Sequence, residues 1–295
     1  MIIFYSIEQL KNYLDNVKKQ QKIVGFVPTM GALHQGHISL IETARAECDL
    51  VVCSIFVNPT QFNDLNDLKN YPRTFEADCH LLEKAQCDVV FMPEISEIYT
   101  PGELDLKKQN IKDKTWTKGA IVDFDVLAEV MEGAHRPGHF NGVAQVVSKL
   151  FRIVEPHKAY FGQKDFQQLA IIRSMVQQLA MPIGIITCPI VREANGLAMS
   201  SRNERLTARE RDNASVIAKT LFKVKELHLT LAVAELKALV DEQLKMEPQI
   251  QLEYFEIADA STLQPVIDFN QTQSAVACIA VKLGNVRLID NVVLF

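Results

Sequence analysis

Residues 25–37 of the chain are Gly25-Phe26-Val27-Pro28-Thr29-Met30-Gly31-Ala32-Leu33-His34-Gln35-Gly36-His37, and the expected fold follows from this segment. It predicts a short apolar strand over 22–28, a glycine-containing turn, and the start of a helix with apolar residues at helical spacing over 38–48. A helix start offers unpaired N–H groups and the positive end of the helix dipole, which suit a phosphate group. His34 and His37 would share one face there and donate hydrogen bonds to phosphoryl oxygens. The alternative is that both histidines only cap the helix and meet solvent.

Two glycines in this stretch, Gly31 and Gly36, would let the backbone approach a nucleotide without a Cβ in the way. The pattern lacks the Gly-Lys-Ser/Thr of a Walker loop and is not a G-x-G-x-x-G fingerprint. Neither of those two common nucleotide-binding motifs is therefore expected here.

Strands and helices alternate along the following residues. Strands are expected at 50–57, 88–92, 158–161 and 183–188, and helices at 73–85, 139–154 and 165–180. Such alternation favours a parallel sheet covered by helices on both faces, with ligands beyond the C-terminal ends of the strands. We expect an α/β domain over residues 1–189.

The pattern changes after Pro189. Thr207-x-x-Glu210 is a capping-box signature for a helix that runs to about His228, and a second helix is expected over 232–245. Strand-like runs follow at 251–258, 275–283 and 286–294, the last two separated by Gly284-Asn285 as a two-residue hairpin turn. We expect a smaller α+β domain over residues 190–295.

Composition narrows the class of partner. The chain has 295 residues, with 31 Lys and Arg against 36 Asp and Glu, so its formal net charge is −5. Extended nucleic acids need clustered cations and are therefore not expected as partners. Basic residues are enriched between Lys149 and Arg211, where a small anion such as ATP would meet a positive site. Six cysteines without a C-x-x-C pair, and no membrane-length or signal-like apolar run, predict a cytoplasmic protein with reduced thiols and no membrane contact.

Four further stretches carry candidate binding residues. In the first, Asn58 and Gln61 leave a buried strand beside Pro59, which stiffens the exit, and their amides can bind a hydroxyl and a carboxylate together. Taken alone, an ordinary turn is the better interpretation of this stretch. The second stretch, Gly133–Phe140, contains Arg136 and His139.

The stretch Phe161–Gln168 joins a strand to a helix. Lys164 and Gln168 are four positions apart at the helix start, so both can face one ligand, and Lys164 can neutralise phosphate charge. The alternative is that Asp165 only caps the helix and Lys164 is solvated. The last stretch, Val191–Asn203, places two hydroxyls and a guanidinium near the expected domain junction, where a mobile loop can close over polyphosphate. Alone, it is more typical of a linker.

Together these stretches resemble the pantothenate synthetase family. The runs P-T-M-G-A-L-H-x-G-H, V-N-P-T-Q-F, R-P-G-H-F, F-G-x-K-D-x-Q-Q-L and A-M-S-S-R-N occur here in that order, and the resemblance extends from Ile23 to Asn291. It implies a homodimer whose subunit has a Rossmann-like nucleotidyltransferase domain and a smaller C-terminal α+β domain closing over the ATP site. The implied reaction is the Mg²⁺- and ATP-dependent condensation of pantoate with β-alanine, through pantoyl adenylate.

The resemblance also implies residue roles. His37 would be the catalytic acid, assisted in charge stabilisation by His34, Lys164 and Arg202. Gln61 would contact both pantoate and β-alanine, and Gln168 pantoate, with Asn58, Arg136 and His139 as further substrate-binding residues. No dedicated protein ligands for magnesium are expected, since the phosphates would hold it. The implied ATP-binding residues are Met30, Gly31, Ala32, Leu33, His34, Gln35, Gly36, His37, Gly162, Gln163, Lys164, Asp165, Val191, Met199, Ser200, Ser201 and Arg202.

Some features depart from the family pattern, and two other functions stay open. The polar stretch Glu103–Lys118, interpreted as a solvated loop, is longer than expected, His135 stands where Ser is usual, and Asn141 where Arg is common. One alternative is another H-x-G-H adenylyltransferase acting on a phosphate or a tRNA end, which would need more cations around its acceptor. The other is a nucleotide-sensing module without turnover.

Overall fold

The computed structural model describes residues 1–62, 65–105 and 122–295. Its larger sheet has six strands, all paired in parallel, in the order β1-β4-β3-β2-β5-β6. This arrangement confirms the predicted parallel α/β class. The strands are β1 (Ile2–Phe4), β2 (Val24–Thr29), β3 (Leu50–Ile55), β4 (Val89–Phe91), β5 (Lys158–Gly162) and β6 (Gly184–Cys188).

Helices cover both faces of this sheet. Neighbouring side chains of β2 point to opposite faces, so Phe26 packs in one hydrophobic cluster with Phe151 and Ile171, while Val27 packs in another with Ile41 and Leu82. The helices are α1 (Ile7–Lys19), α2 (Gln35–Glu47), α3 (Leu65–Lys69), α4 (Phe75–Lys84), α5 (Ile95–Ile98), α6 (Pro101–Asp105), α7 (Met131–His135), α8 (His139–Val154) and α9 (Phe166–Gln178).

The strand order locates a crevice. From β2 the chain proceeds outward through β3 to β4 on one side, whereas β5 and β6 lie on the other side of β2. The order therefore reverses between β2 and β5, and ligands of open α/β sheets bind beyond the strand ends at such a reversal. Both predicted phosphate-binding turns, after Thr29 and after Gly162, follow these two strands.

The C-terminal part has its own antiparallel sheet and hydrophobic cluster. Its strands run in the order β7-β8-β9, and Gly284, with φ +57°, sits in the predicted two-residue turn between β8 and β9. The elements are α10 (Ala208–Asn213), α11 (Ser215–Leu227), α12 (Val233–Lys245), β7 (Ile250–Asp259), β8 (Ala275–Leu283) and β9 (Val286–Val293). A domain boundary at residue 189 stays a prediction.

Some predicted elements differ in detail. The capping box of Thr207 and Glu210 is present, but the single helix expected to reach His228 is divided at the fully buried Ala214, and α11 packs on β8 and β9. Of the predicted loop at 103–118, residues 103–105 end α6 and the rest lies outside the described residues. Within the described ranges, no helix combines the length and apolar character needed to traverse a bilayer.

Candidate active site

The two histidines of the first turn cap α2 and each other. His34 is the N-cap residue, and its Nδ1 accepts the Gly36 N–H at 3.1 Å, while the Nδ1 of His37 accepts the His34 N–H at 3.4 Å. A Cβ at Gly36 would lie 2.8 Å from the His34 ring, so this glycine makes room for the imidazole. The capping interpretation therefore holds, although both rings also line a cleft.

The protonation state of these rings follows from their surroundings. Burial, followed by the charge of Lys164, lowers the pKa of His34 to about 4. Burial, followed by His34 and Lys164, lowers the pKa of His37 to about 3. Both imidazoles are thus neutral near pH 7, and because each Nδ1 accepts a hydrogen bond, the ring proton resides on Nε2. The pair supplies two neutral N–H donors.

A buried carboxylate holds the turn that precedes these histidines. The Asp78 carboxylate on α4 accepts the N–H groups of Ala32 and Leu33 at 2.9 and 2.8 Å. Gly31 has φ +79°, and a Cβ there would meet Asp78 at 3.1 Å, so the turn needs glycine on both counts. Asp78 therefore fixes the backbone from which His34 projects.

The second wall of the cleft is the exit from β3. Asn58 is almost fully buried, and its Nδ2 donates to Gln61 Oε1 at 3.1 Å and to the Gly142 carbonyl at 3.0 Å. Its Oδ1 accepts the Tyr99 hydroxyl at 2.9 Å. The backbone carbonyl of Gln61 lies 2.8 Å from the ring Nδ1 of His139. Asn58 and His139 thus orient Gln61 from behind.

The third wall is the turn after β5, a short 3₁₀ helix over Gln163–Asp165. Lys164 Nζ lies 3.7 Å from Asp165 Oδ2. Neither Lys164 Nζ nor the Gln168 amide has a hydrogen-bond partner among the residues that the structure describes, and both side chains face the cleft. They are therefore available to a ligand.

The fourth wall is the loop that follows β6. Arg202 Nη2 donates to Asp67 on α3 at 2.9 Å, and Arg205 donates to the same carboxylate at 3.2 Å. Burial raises the pKa of Asp67, but these two arginines outweigh burial and hold the pKa below its ordinary value. The hydroxyls of Tyr71 and Ser201 lie 3.4 Å apart. Residues 67–71 thus hold the loop across the cleft.

These walls enclose one cleft of about 210 Å³ at the strand reversal. Fifteen of the predicted site residues line it: Met30, His34, Gly36, His37, Asn58, Gln61, Gly162, Lys164, Asp165, Gln168, Val191, Met199, Ser200, Ser201 and Arg202.

Seven predicted residues do not line this cleft. Gly31, Ala32 and Leu33 belong to the turn behind it, and Gln35 is exposed on α2. The Gln163 side chain points to the C-terminal sheet, where its Nε2 donates to Asn291 Oδ1 at 3.2 Å. Arg136 and His139 line a smaller adjoining cavity, which shares Lys164, Asp165 and Gln168 with the main cleft.

Several other residues of the site carry no recognisable signal in the sequence. Asp78 looks like an ordinary acidic residue of a first helical turn, and Asp67 and Tyr71 stand in a polar connection. The apolar stripe of α8 predicts a core face, yet it also forms the cleft floor, through Val143, Val146, Val147 and Leu150. Pattern alone does not separate a core face from a cleft floor, since both bury apolar side chains.

Magnesium would find few protein ligands here. In residues 1–62, 65–105 and 122–295 no group of three or more His, Cys, Asp or Glu side chains has the geometry to hold a metal ion. Asp165 contributes the single carboxylate among the described residues that line the cleft. A magnesium ion would therefore rely on oxygen atoms of its own ligand.

Comparison with known proteins agrees with this geometry. The family model described as pantoate-beta-alanine ligase matches residues 2–293. Pantothenate synthetase from Porphyromonas gingivalis is 52% identical over 292 residues, covering 99% of both chains. The crystal structure of pantothenate synthetase from Thermus thermophilus superposes with a TM-score of 0.88 at 38% identity, over 100% of both chains. A Francisella tularensis pantoate-beta-alanine ligase, complexed with beta-gamma ATP and beta-alanine, has a TM-score of 0.78 at 35% identity, over 100% of this chain and 98% of that one.

Proposed function

The chain belongs to the pantoate–β-alanine ligase family and is an ATP-dependent ligase that joins pantoate to β-alanine, and we propose that its cleft works through pantoyl adenylate. The observation that carries the proposal is the convergence of two neutral histidines, a lysine whose one ionic contact is the 3.7 Å approach to Asp165, and two glutamines at the reversal between β2 and β5, all within the described ranges. This set matches a polyphosphate beside a polar carboxylic acid.

In the first step a carboxylate oxygen of pantoate attacks the α-phosphorus of ATP. A new P–O bond forms, the bond to the β-phosphate oxygen breaks, and pyrophosphate leaves. His34 and His37 donate from Nε2 to phosphoryl oxygens, while Lys164 and Arg202 balance the growing negative charge. With its pKa near 3, His37 acts as a neutral donor whose proton stays on the ring, rather than as a cationic acid.

In the second step the β-alanine amine attacks the acyl carbon of the adenylate. The C–N bond forms, the acyl C–O bond breaks, AMP leaves, and the nitrogen releases a proton. In this proposal Gln61 contacts both acid and amine. Its support is that Asn58 Nδ2 donates to the Gln61 carbonyl oxygen at 3.1 Å, while the Gln61 NH₂ group lies 2.9 Å from Met30 Sδ. Gln168 is the second amide for the pantoate hydroxyls.

Three assignments accompany this mechanism as proposals. Mg²⁺ would be held by ATP phosphate oxygens within reach of Asp165, and would supply charge neutralisation. The family resemblance supports a homodimer. All six cysteines are free, which suits the reducing cytoplasm.

An isotope-exchange experiment tests the proposal. The protein should move labelled pyrophosphate into ATP when it is given Mg²⁺ and pantoate alone, and should form pantothenate and AMP once β-alanine is added. Exchange that appears only after β-alanine is added would exclude a freely reversible adenylate as the first product. An adenylyltransferase acting on a phosphate or tRNA end would show no dependence on pantoate, and a sensing module would bind ATP without any exchange.

A further inference from the structure

The side-chain amide of Asn291, on β9 of the C-terminal sheet, is hydrogen-bonded through both its NH₂ group and its oxygen. Its Nδ2 donates to the carbonyls of Gln163 and Lys164 at 3.0 and 2.9 Å, and its Oδ1 accepts from Gln163 Nε2 at 3.2 Å. Its backbone N–H donates to Asp290 Oδ1 at 2.8 Å. Only 2% of the residue is exposed, so water does not compete for these bonds.

These bonds fix the backbone that carries Lys164. The two carbonyls belong to a single 3₁₀ turn of three residues, and they point in one direction because a single NH₂ group binds both. The Lys164 side chain has no other anchor in the described part of the chain apart from the loose 3.7 Å contact with Asp165. The direction of the Lys164 side chain therefore depends on the conformation of this turn.

The neighbouring Asp290 holds the opposite wall. Its buried carboxylate receives Arg192 Nη1 at 2.6 Å and Nη2 at 3.0 Å, and Arg192 also donates to the Gly196 carbonyl at 3.1 Å. Arg192 begins the loop that carries Met199 to Arg202. Asp290 and Asn291 are adjacent on β9. Together they attach the turn that carries Lys164 and the loop that carries Arg202 to the same strand.

We propose that Asn291 is a positioning residue for Lys164: it touches none of the three substrates, and it sets the direction of the lysine toward the phosphates of ATP. This inference rests on the proposed function, in which Lys164 acts on ATP. It predicts that Asn291 matters to adenylation only as long as Lys164 is present.

The test is a double-mutant cycle read by pantoate-dependent pyrophosphate exchange. Asn291→Asp keeps the shape but turns a carboxylate toward two carbonyls, and should lower the exchange rate about 10- to 100-fold with the KM for pantoate unchanged. In a Lys164→Ala background Asn291→Asp should lower the exchange rate by less than about threefold, since the ammonium group that Asn291 positions is absent. Asn291→Ser serves as the second variant, because it is smaller and uncharged and preserves folding if the aspartate disrupts it.

Asp259→Ala is the matched control for general damage to the same sheet. Asp259 accepts the Ser261 and Thr262 N–H groups at the end of β7, so its loss should lower stability without changing exchange in folded protein. Equal losses for Asn291 variants in both backgrounds, or a loss confined to the KM for pantoate, would overturn the inference. Absence of pantoate-dependent exchange in the unaltered chain would instead refute the proposed function, before any variant is compared.

Discussion

The imidazole rings of His34 and His37 lie with their centroids 4.2 Å apart, and the Nδ1 of each ring accepts a backbone N–H from its own turn. The pair is therefore neutral and held in place before ATP arrives. Preorganised donors of this kind stabilise developing charge at little reorganisation cost.

Replacing His37 tests whether its ring stabilises the charge that develops on the phosphoryl oxygens. His37→Ala should lower the rate of pantoate-dependent exchange by on the order of 10²–10³, because one preorganised donor typically contributes about 3–4 kcal/mol. The control is His80→Ala, at an exposed position of α4. A loss below fivefold, with the fold intact by circular dichroism, would contradict the assignment.

Buried neutral histidines also make stability depend on pH. The pKa values of His34, His37 and His139 are lowered to about 4, 3 and 4, chiefly by burial. The unfolded chain binds protons at these sites below its ordinary pKa near 6.5, whereas the folded chain does not, so stability falls as pH drops from about 6.5 toward 4. We expect a loss of about 1–2 kcal/mol per histidine between pH 7 and pH 5 in urea unfolding.

Single substitutions identify the source of that loss. His139→Gln should make the stability less dependent on pH, because the buried ring whose pKa is lowered has gone. If His139→Gln did not reduce the dependence of stability on pH, the His139 ring would have to be protonated in the folded chain.

In the proposed function the Arg202 guanidinium binds ATP, so its ion pair with Asp67 should compete with the nucleotide. Asp67→Asn removes this negative charge beside the cleft, so the KM for ATP should fall about two- to fivefold at low salt, and the gain should shrink as salt is added. Asp67→Glu retains the charge and is the matched control. An increase in the KM for ATP would show instead that Asp67 chiefly holds the loop in place.

Gln168 is expected to bind a pantoate hydroxyl. A site built to bind a hydroxyl rejects an analogue that lacks it, because its own polar group stays unpaired. Exchange should therefore be far slower with a deoxy analogue than with pantoate, and Gln168→Ala should narrow that difference. Gln177→Ala, on an exposed position of the same helix, should not. Equal exchange with both acids in the unaltered chain would remove Gln168 from this role.

A partly buried ionic cluster joins α7 to the C-terminal sheet. Arg287 donates to both Glu132 oxygens at 2.7 Å and to Glu253 at 2.7 Å, and Tyr254 donates to Glu132 at 2.8 Å. Burial raises the pKa of Glu132, but its hydrogen bonds and ion pair with Arg287 keep the pKa below its ordinary value.

Breaking this cluster should destabilise the fold. Arg287→Ala deprives two carboxylates of the cation that they share and should cost about 3–5 kcal/mol in denaturant unfolding. The exposed pair of Lys18 and Glu155 is the control, since Lys18→Ala should cost less than about 1 kcal/mol. Equal losses of unfolding free energy for Arg287→Ala and Lys18→Ala would show that water already screens the charges of the cluster.

Local pattern is enough to predict most elements. Helix α8 and strand β8 have the predicted bounds, His139–Val154 and Ala275–Leu283. Long amphipathic or apolar runs with clear breakers at their ends indicate both the type and the bounds of an element. Strand β1 and helix α1 are not among the predicted elements. A strand of only three residues at a sheet edge has too few positions to show a period.

The supports of the site are beyond local pattern. The residues Asp78, His139 and Asn291 act on backbone groups that lie 45, 78 and 127 positions away in the chain. Such partners become neighbours only when helices and sheets pack. Nothing around Asp78 distinguishes it from an ordinary capping residue, and the run that contains His139 predicts substrate binding for that residue, not its bond to the Gln61 carbonyl. The motifs therefore predict the chemistry of the site, whereas its rigidity comes from contacts that they do not contain.

The bond between Asn291 and the Lys164 carbonyl also sets an order of events during synthesis. At typical elongation rates, 127 residues take on the order of ten seconds to add. The parallel sheet has all its strands by residue 188, so a nascent chain can build the nucleotide crevice while the lysine turn still lacks its anchor. On the proposed role of Asn291, competence for adenylation would therefore arrive in a late step, after the crevice has formed and once β9 has docked.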